Sequence, residues 1–346
     1  MSNEGAGQES KVEPEAATTA TVSVSTQDSG LHQTPNQKAW RRFRANRTAV
    51  LSSWLLAGLL LIVVGWPVVL KVAAMSGPDG TRFAHVHDPD QVSDEQFQRP
   101  GFKHWFGTDV HGRDLLSRAL YGAQVSLLVG AVGAGVSLVI GVLWGAIAGY
   151  AGGRLDGLMM RVVDILYSLP SIIFVVVLIT TLEAGLKDWL ARIGSPGLSK
   201  LARLLFLFAG LGAVSWLTMA RIVRGQVLSL RQRPFVEASR ALGAGPARIL
   251  LRHVLPNTFG VVIVYLTLTV PAIILYESFL SYLGLGIQPP MASWGSLIAE
   301  GADQINSIRI YWWLIVFPGS LLVTTLLALN FLGDGLRDAW DVRGGS

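Results

Sequence analysis

The stretch PFVEASRALGAGPARILLRHVLPN, residues 234–257, is a short basic segment between two long apolar runs. Pro234 can begin a helix, because the first helical turn needs no amide donor at that position. Gly243 can take the left-handed backbone conformation that ends a helix, and Pro246 can begin another helix after it. The stretch therefore predicts two short helices, joined by a tight turn, that lie across a membrane face.

The second of these helices is expected to cover residues 247–254. Pro256 is expected to end it, because proline lacks the amide donor and its ring obstructs the preceding turn. Asn257 is then expected to cap the next helix with its side chain. The apolar stripe of the second helix is predicted to consist of Ile249, Leu250 and Leu251.

Two interpretations of the wider segment 221–257 remain open from its residues alone. An ordered pair of helices with this much charge is typical of a docking element for another protein. A plain connecting loop would instead pair Glu237 with Arg233 or Arg240 at the surface, which stabilises a helix by only about 0.3 kcal/mol. The arginines of the segment are Arg221, Arg224, Arg231, Arg233, Arg240, Arg248 and Arg252.

Composition indicates that the 346-residue chain is a membrane protein. Hydrophobic residues make up 51% of it and charged residues only 15%, whereas a soluble domain carries about 25% charged residues. The net charge of +5 does not favour nucleic-acid binding, because the basic residues flank apolar runs and are explained by orientation in a membrane. The chain has no cysteine, which excludes disulfides, thiol catalysis and thiolate metal sites.

Apolar runs of nearly the length needed to cross a bilayer, about 20 residues, recur along the chain. The fold class predicted is therefore all-α integral membrane, with about six transmembrane helices. The predicted spans are 50–70, 126–150, 162–182, 204–220, 258–280 and 311–332. Gly141, Gly145 and Gly149 in the second span are four residues apart, which lets helix backbones approach closely in lipid.

The distribution of basic residues predicts that both termini lie in the cytoplasm. With that orientation, sixteen basic residues fall in inside segments and eleven in longer outside segments, in line with the preference of basic residues for the cytoplasmic side. The predicted regions are a disordered cytoplasmic tail at 1–37; an anchor helix, an extracytoplasmic loop and an interfacial helix within 38–125; a core transmembrane domain at 126–335; and a cytoplasmic tail at 336–346. Residues 38–47 form a basic, aromatic collar at the membrane surface.

A second motif, FGTDVHGRDLLSR at residues 106–118, precedes the second span. Its apolar residues recur at helical spacing, which predicts an amphipathic helix at the outer interface. Arg113, Asp114 and Arg118 are expected on the polar face of that helix, and His85 and His87 are expected to be solvated in the preceding loop. The candidate residues of this interfacial motif are Gly107, Thr108, Asp109, Gly112, Arg113 and Asp114.

A third motif, ESFLSYLGLGIQPP at residues 277–290, follows the fifth span, and SWG follows at 293–295. Irregular backbone at membrane depth is tolerated where it is buried in protein or lines a water-filled cavity, so this segment is a candidate lining of a pathway. An acid in a membrane span is a functional candidate, although an acid that snorkels to the interface also fits. The candidate residues are Glu277, Gly284, Gly286, Pro289 and Trp294.

These motifs resemble those of permeases of ATP-binding-cassette (ABC) importers. Residues 234–257 resemble the loop that couples such permeases to their ATPases, with Ser239 in place of the usual second alanine. Residues 106–118 and 277–295 are similar to the C-type permease of dipeptide, oligopeptide and nickel importers. The end of the chain adds a fourth match, WW at 312–313 and FPG at 317–319, with Asp341-Val342-Arg343 where Asp-Pro-Arg is frequent. The resemblance covers the chain from Trp40 onward.

The resemblance implies the type I ABC importer permease fold, with a pair of coupling helices that face the cytoplasm. It implies a role in coupling for a set of residues in the loop. These are Glu237, Ala238, Ser239, Arg240, Gly243, Ile249, Leu255 and Pro256. It also implies localisation in the inner or plasma membrane.

The partners implied are a second homologous permease, two cytoplasmic ATPase subunits and an extracytoplasmic substrate-binding protein. The chain has no GxxxxGK[ST] sequence, so we expect no catalysis, no metal and no cofactor in it, and ATP bound by the partner subunits. The substrates implied are short peptides, with nickel or another small solute as the alternative within the family. A self-sufficient secondary transporter or channel is the rival class. Such a protein usually carries ionisable groups in its spans, and the centres of these spans carry none.

Overall fold

A computed structural model describes residues 35–170, 172–177, 180–181, 196–289, 291–306 and 309–340 of the chain. The predicted tail at 1–37 and the Asp341-Val342-Arg343 sequence therefore fall largely or wholly outside the described residues. The helices are α1 Pro35–Ala45, α2 Arg47–Met75, α3 Pro78–Val86, α4 Leu115–Ala151, α5 Gly153–Ser168, α6 Pro196–Leu230, α7 Pro234–Ala241, α8 Pro246–Ile249, a π-helical turn Leu250–Val254, α9 Leu255–Tyr282, α10 Trp294–Ala302 and α11 Trp313–Trp340.

The predicted all-α membrane class is confirmed, since the described part of the chain is helical and contains no β-strand. Four helical stretches are long and apolar enough to cross a bilayer: Arg47–Met75, Leu115–Ala151, Pro246–Tyr282 and Trp313–Trp340. They contain the predicted spans 50–70, 126–150 and 258–280, and all of 311–332 except its first two residues. The span predicted at 204–220 lies within α6.

The span predicted at 162–182 is interrupted in the structure. Helix α5 ends at Ser168, and Leu169 takes an extended conformation with ψ of 138°. This is the geometry that a following proline imposes, here Pro170. Helix resumes at 172–177, and residues 178–179 and 182 lie outside the described residues.

One sequence prediction about the fifth span is wrong. Helix α8, the π-helical turn and α9 form one continuous helix from Pro246 to Tyr282, and Pro256 lies in the first turn of α9 rather than ending the helix before it. The wider π-helical turn leaves room where the ring of Pro256 would meet the carbonyl four residues earlier. Asn257 caps nothing; its Nδ2 donates to the carbonyl oxygen of His253 at 2.6 Å.

The predicted close approach of helices at the glycines of the second span is confirmed. A Cβ atom added to Gly145 of α4 would lie 2.4 Å from the carbonyl oxygen of Ala220 in α6. At Gly141 it would lie 2.6 Å from Met219, and at Gly149 2.8 Å from the carbonyl oxygen of Arg224. The glycine stripe therefore places α4 directly against the backbone of α6, and this pair forms the centre of the bundle.

Helix α4 also runs without a break across residues 125 and 126, where the sequence predicted a change from an interfacial helix to a span. One end of the bundle packs around Trp66 of α2, Leu120 of α4, Ile274 of α9 and Trp294 of α10. The predicted basic collar forms α1, whose buried Phe43 packs against Ala339 near the end of α11.

Candidate functional site

The first candidate site is the knob, which we define as residues 234–254. It consists of α7, a tight turn, α8 and the π-helical turn. Gly243 in the turn has a φ of +81°, and no atom lies within 4 Å of the position that its Cβ would occupy. The predicted left-handed glycine is therefore confirmed. Glycine is favoured at this position by the positive φ alone, because the open space around it would accommodate a larger side chain.

Buried side chains hold the knob on the bundle. Val236 of α7 and Ile249 of α8 pack with Val223 and Val227 of α6 and with Ala146 of α4. The base of the knob thus rests on the α4–α6 pair. Any force applied to the knob acts on the two helices that are packed most closely.

The outer surface of the knob is apolar and basic. Leu242 is 88% exposed and Leu251 is 64% exposed, so only Ile249 of the predicted apolar stripe is buried, while Leu250 is partly buried. Phe235 is also exposed. Glu237, Ala238, Arg240, Gly243 and Pro256 are exposed, Ser239 and Leu255 are partly buried, and Ile249 is buried.

The ion pair that a plain connecting loop would provide is absent. Glu237 makes no ion pair within the part of the chain that the structure describes, and the guanidinium of Arg240 lies 6.0 Å from the ring centroid of Tyr150 instead. Ser239 donates its hydroxyl to the carbonyl oxygen of Phe235 at 2.8 Å. An exposed carboxylate beside exposed leucines and arginines is suited to contact another protein.

The second candidate site is the cluster built on the 106–118 motif. Asp114 caps α4, since its Oδ2 accepts the amide of Ser117 at 3.0 Å. Its Oδ1 lies 2.9 Å from Nδ1 of His104, and Nε2 of His104 lies 3.2 Å from Glu95. Nδ1 of His87 lies 3.1 Å from Asp114 Oδ2, although it is not aligned for a hydrogen bond.

Burial and these contacts decide the charge states in the cluster. The hydrogen bond to Asp114 raises the pKa of His104. Burial raises the pKa of Asp114, but the hydrogen bond from His104 and the nearby His87 outweigh it and lower that pKa to about 2. His87 is only 2% exposed, so the prediction that it is solvated is wrong, whereas His85 is exposed as predicted.

Asp109, Asp114 and Arg118 of the motif are buried and Arg113 is partly buried, so the predicted polar face of an interfacial helix is wrong. Arg118 is 4% exposed and Asp109 is 3% exposed. Nη1 of Arg118 lies 2.7 Å from Oδ2 of Asp109 and 2.6 Å from Oε2 of Glu300 in α10. The periodicity of the motif did not show this, because a buried ion-pair network places charges at positions that usually face water.

The remaining residues of the motif shape its backbone. Gly107 and Gly112 have φ values of +78° and +70°, which favour glycine. A Cβ at Gly107 would lie 3.0 Å from the ring of Trp313 in α11. The hydroxyl of Thr108 donates to the carbonyl oxygen of Glu95 at 2.5 Å. The motif thus ties the loop before α4 to the start of α11.

The third candidate site surrounds Glu277 near the end of α9. Glu277 is fully buried, so the alternative that it snorkels to the interface is wrong. Ser281 donates to its Oε1 at 2.7 Å, and Ser126 of α4 donates to its Oε2 at 3.1 Å. The same Ser126 oxygen accepts the amide of Trp294 at 3.3 Å. The carboxyl group therefore joins α9, α4 and the start of α10.

The loop after α9 is organised by two of the predicted glycines. Gly284 has a φ of +75° and ends α9, and a Cβ at Gly286 would lie 2.1 Å from the hydroxyl of Ser281. Trp294 is buried and its Nε1 donates to the carbonyl oxygen of Ala119 at 3.1 Å. Pro289 is exposed. Glu277, Gly286 and Trp294 thus lie inside the protein, and Gly284 and Pro289 lie at its surface.

A cavity of about 420 Å³, which the sequence reasoning missed, lies between α5, α6 and α9. Part of its polar lining recurs along α9 at Tyr265, Thr269 and Tyr276, and this helical spacing was visible in the sequence. The signal was overlooked because tyrosine and threonine do not interrupt an apolar run. The lining residues are Leu166, Tyr167, Leu169, Phe174, Val214, Ser215, Leu217, Thr218, Tyr265, Leu268, Thr269, Ala272 and Tyr276.

The family described as the binding-protein-dependent transport system inner membrane component matches residues 141–343. The match covers more than half of the chain and includes the knob, the cavity and the Glu277 site. The chain belongs to this family. It is therefore a membrane component of an importer that works with a binding protein. A second family, described as the N-terminal transmembrane domain of oligopeptide transport permease C, matches residues 34–94.

Curated relatives agree with this assignment over most of their length. The oligopeptide transport system permease protein OppC of Haemophilus influenzae is 42% identical over 88% of this chain and 88% of its own. The dipeptide transport system permease protein DppC of Bacillus subtilis is 42% identical over 88% of this chain and 85% of its own. OppC of Escherichia coli strain K12 is 44% identical over 88% of this chain and 90% of its own.

Among solved structures, a chain of the MetNI methionine ABC transporter in an inward-facing conformation aligns with this chain. The TM-score is 0.48 and the sequence identity is 21%, and the alignment covers 63% of this chain and 94% of that one.

Proposed function

We propose that this chain is the permease subunit of a peptide importer driven by ATP hydrolysis in separate subunits. The relatives named as oligopeptide and dipeptide permeases support a peptide substrate. The chain supplies the path across the membrane, and the reaction with ATP takes place in the partners. A second homologous permease completes the path, and an extracytoplasmic binding protein delivers the peptide.

The observation that carries this proposal is the exposed knob on a continuous helix. Leu242 and Leu251 offer apolar area to a partner, and Glu237 offers an unpaired charge. The helix that begins at Pro246 in the knob continues to Tyr282 near the opposite membrane face. A displacement of the knob by an ATPase subunit is therefore carried directly into the helix that lines the cavity and bears Glu277.

The orientation follows from the same proposal. The knob must face the cytoplasm, where the ATPases and ATP are found, and the basic helix α1 must lie on the same side. The Asp114 cluster and the Glu277 site then lie toward the outer face. Both chain termini are cytoplasmic in this arrangement, as the excess of basic residues near the membrane on that side favours.

The direct test is reconstitution of the permease pair with its ATPases and binding protein in liposomes. Uptake of radiolabelled trialanine should require ATP and should stop with an ATPase that binds but does not hydrolyse ATP. Uptake driven by a proton or sodium gradient without ATP would instead support the secondary-transporter class. ATP-dependent uptake of Ni²⁺ but not of peptide would support the assignment as an ABC permease and contradict the proposed peptide substrate.

A further inference from the structure

The cavity between α5, α6 and α9 has an unusual lining for the interior of a membrane protein. The polar side chains that line it all carry hydroxyl groups, and they are Tyr167, Ser215, Thr218, Tyr265, Thr269 and Tyr276. Among the described lining residues there is no charged side chain and no amide side chain. The volume of about 420 Å³ is in the range of pockets that enclose small organic ligands.

Half of the hydroxyl-bearing residues lie in a row along one helix. Tyr265, Thr269 and Tyr276 occupy one face of α9, and Ser215 and Thr218 lie on the facing side of α6. From Tyr265 to Tyr276 the helix advances eleven residues, which is about 16 Å. This length is that of several peptide units in an extended chain. A row of hydroxyl groups of this length can contact several residues of an extended peptide at once, which suits a passage better than a binding site for one small group.

The lining offers both acceptors and donors of hydrogen bonds. Ser215 donates its proton to the carbonyl oxygen of Leu211 at 3.2 Å, and Thr269 donates to that of Tyr265 at 2.7 Å. The oxygens of both therefore face the cavity as acceptors. The hydroxyls of Thr218, Tyr265 and Tyr276 have no hydrogen-bond partner in the described residues and are free to donate.

Lipid cannot satisfy these hydroxyl groups, because hydrocarbon contains neither donors nor acceptors. Each unsatisfied hydroxyl in an apolar surrounding is destabilising. A peptide backbone carries one donor and one acceptor per residue, which is the complement of this lining. The described lining residues offer no charge opposite to a side-chain ammonium or carboxylate. The nearby guanidinium of Arg221, 4.1 Å from the ring centroid of Tyr167, is paired with Asp164 at 2.7 Å.

We propose that the cavity is a transit site that holds the main chain of a passing peptide through hydroxyl groups and does not discriminate between side-chain charges. This inference rests on the proposed peptide transport. The cavity then favours peptides as a class, while selection among peptides belongs to the binding protein. Weak, neutral contacts also allow the peptide to leave, which a buried ion pair would hinder.

The test uses the complete importer in liposomes and three peptides, Ala-Ala-Ala, Ala-Lys-Ala and Ala-Glu-Ala. The variants Tyr265→Phe, Tyr276→Phe and Thr218→Val each remove one hydroxyl with little change of shape. Each should lower uptake of all three peptides by about fivefold, the effect of one hydrogen bond. The ratio between the peptides should stay within about twofold of the wild-type ratio. Tyr282→Phe, at the end of α9 and outside the cavity lining, is the matched control and should transport normally.

A charge placed in the cavity should make uptake depend on the side-chain charge of the peptide. Thr218→Asp should raise uptake of Ala-Lys-Ala relative to Ala-Glu-Ala by about tenfold or more, the effect of a charge pair of about 1.4 kcal/mol. Uptake is normalised to the amount of assembled complex. If a tyrosine variant fails to assemble, Thr218→Val decides, because its side chain is exposed in the described structure.

Two outcomes overturn the transit site. Wild-type uptake by all three hydroxyl variants would mean that the second permease or lipid fills the cavity. A change in the ratio between the lysine and glutamate peptides in the hydroxyl variants would mean that side chains are recognised there. A failure of the proposed function is distinct, because the wild-type importer itself would then take up none of the three peptides.

Discussion

Nη1 of Arg118 lies 2.6 Å from Oε2 of Glu300, and the two residues are 182 positions apart in the chain. The contact fastens the N-terminal end of α4 to α10. Arg118 also contacts the buried Asp109 at 2.7 Å, so one guanidinium joins a loop and two helices. In the proposed function, this network holds the outer end of the bundle together while the knob moves.

The Arg118–Glu300 pair should couple measurably in a double-mutant cycle. We expect Arg118→Met and Glu300→Gln to show a coupling free energy of about 1 kcal/mol in unfolding from mixed micelles. The expected coupling free energy is modest because the side chain of Glu300 is one-third exposed. Arg113 is the control, since it lies 3.6 Å from Glu300, and Arg113→Gln should couple to Glu300→Gln by less than about 0.5 kcal/mol. Equal coupling for both arginines would contradict the geometry.

The glycine contact between α4 and α6 gives a matched pair of substitutions on one helix. Gly145→Ala places a methyl group 2.4 Å from the carbonyl oxygen of Ala220, whereas Gly135→Ala meets no atom within 4 Å. We expect Gly145→Ala to lower the free energy of unfolding by about 1 to 3 kcal/mol. Gly135→Ala should be neutral or stabilise by up to about 1 kcal/mol. Similar effects at both positions would show that the helices are not in contact there.

The His104–Asp114 contact should make stability depend on pH. The pKa of His104 is raised from 6.5, so its contribution is fully present below pH 6.5 and is lost as the pH rises through the raised value. Asp114, with a pKa of about 2, stays ionised throughout that window and its contribution is lost only in strong acid.

The stability of the wild type should therefore fall as the pH rises above 6.5 and through the raised pKa of His104, by an amount that His104→Gln removes. His85→Gln is the control, because His85 is exposed and in the same part of the chain. The measurement is the unfolding free energy in mixed micelles at several pH values. An unchanged pH slope in His104→Gln would show that the contact does not hold a proton.

Sequence reasoning succeeded where one local rule decides the structure. Gly243 must be left-handed for two helices to meet in so short a turn, and Gly141, Gly145 and Gly149 lie at the spacing that closely packed helices use. Both features depend on backbone geometry that glycine alone permits, so the sequence records them directly.

The reasoning failed where tertiary contacts reverse a local preference. The charges of Asp114 and Arg118 predicted the polar face of an interfacial helix, but both side chains are buried. Their burial is possible because His104 lies against Asp114 and because Asp109 and Glu300 pair with Arg118. Pro256 predicted a helix end, but the π-helical turn before it accommodates the ring. The stripe of Tyr265, Thr269 and Tyr276 on α9 could be read from the sequence, but the cavity could not, because the rest of its lining comes from α5, α6 and the segment after α5, which only the fold brings together.

The proposed orientation can be tested with single cysteines, because the chain has none of its own. Cysteines at Thr48 and Leu242, which are exposed, should resist a membrane-impermeant thiol reagent in intact cells and react after the cells are opened. A cysteine at Phe102, a fully exposed residue of the loop before α4, should react in intact cells. Labelling of Thr48→Cys or Leu242→Cys in intact cells would contradict the proposed orientation.

The central claim, that the knob couples this chain to ATPase subunits, is tested most directly by two glycines in one turn. Gly243 has a φ of +81° and Gly245 has a φ of −68°, and both have open space around them. Gly243→Val is therefore strained by about 1 to 3 kcal/mol, whereas Gly245→Val is not.

The measurement is the amount of ATPase that co-purifies with the permease pair, together with ATP-dependent peptide uptake. The account predicts that Gly243→Val inserts and assembles with its partner permease but loses the ATPase subunits and transport, while Gly245→Val retains both. Full retention of ATPase and uptake in Gly243→Val would contradict the account and reduce the knob to a connecting loop.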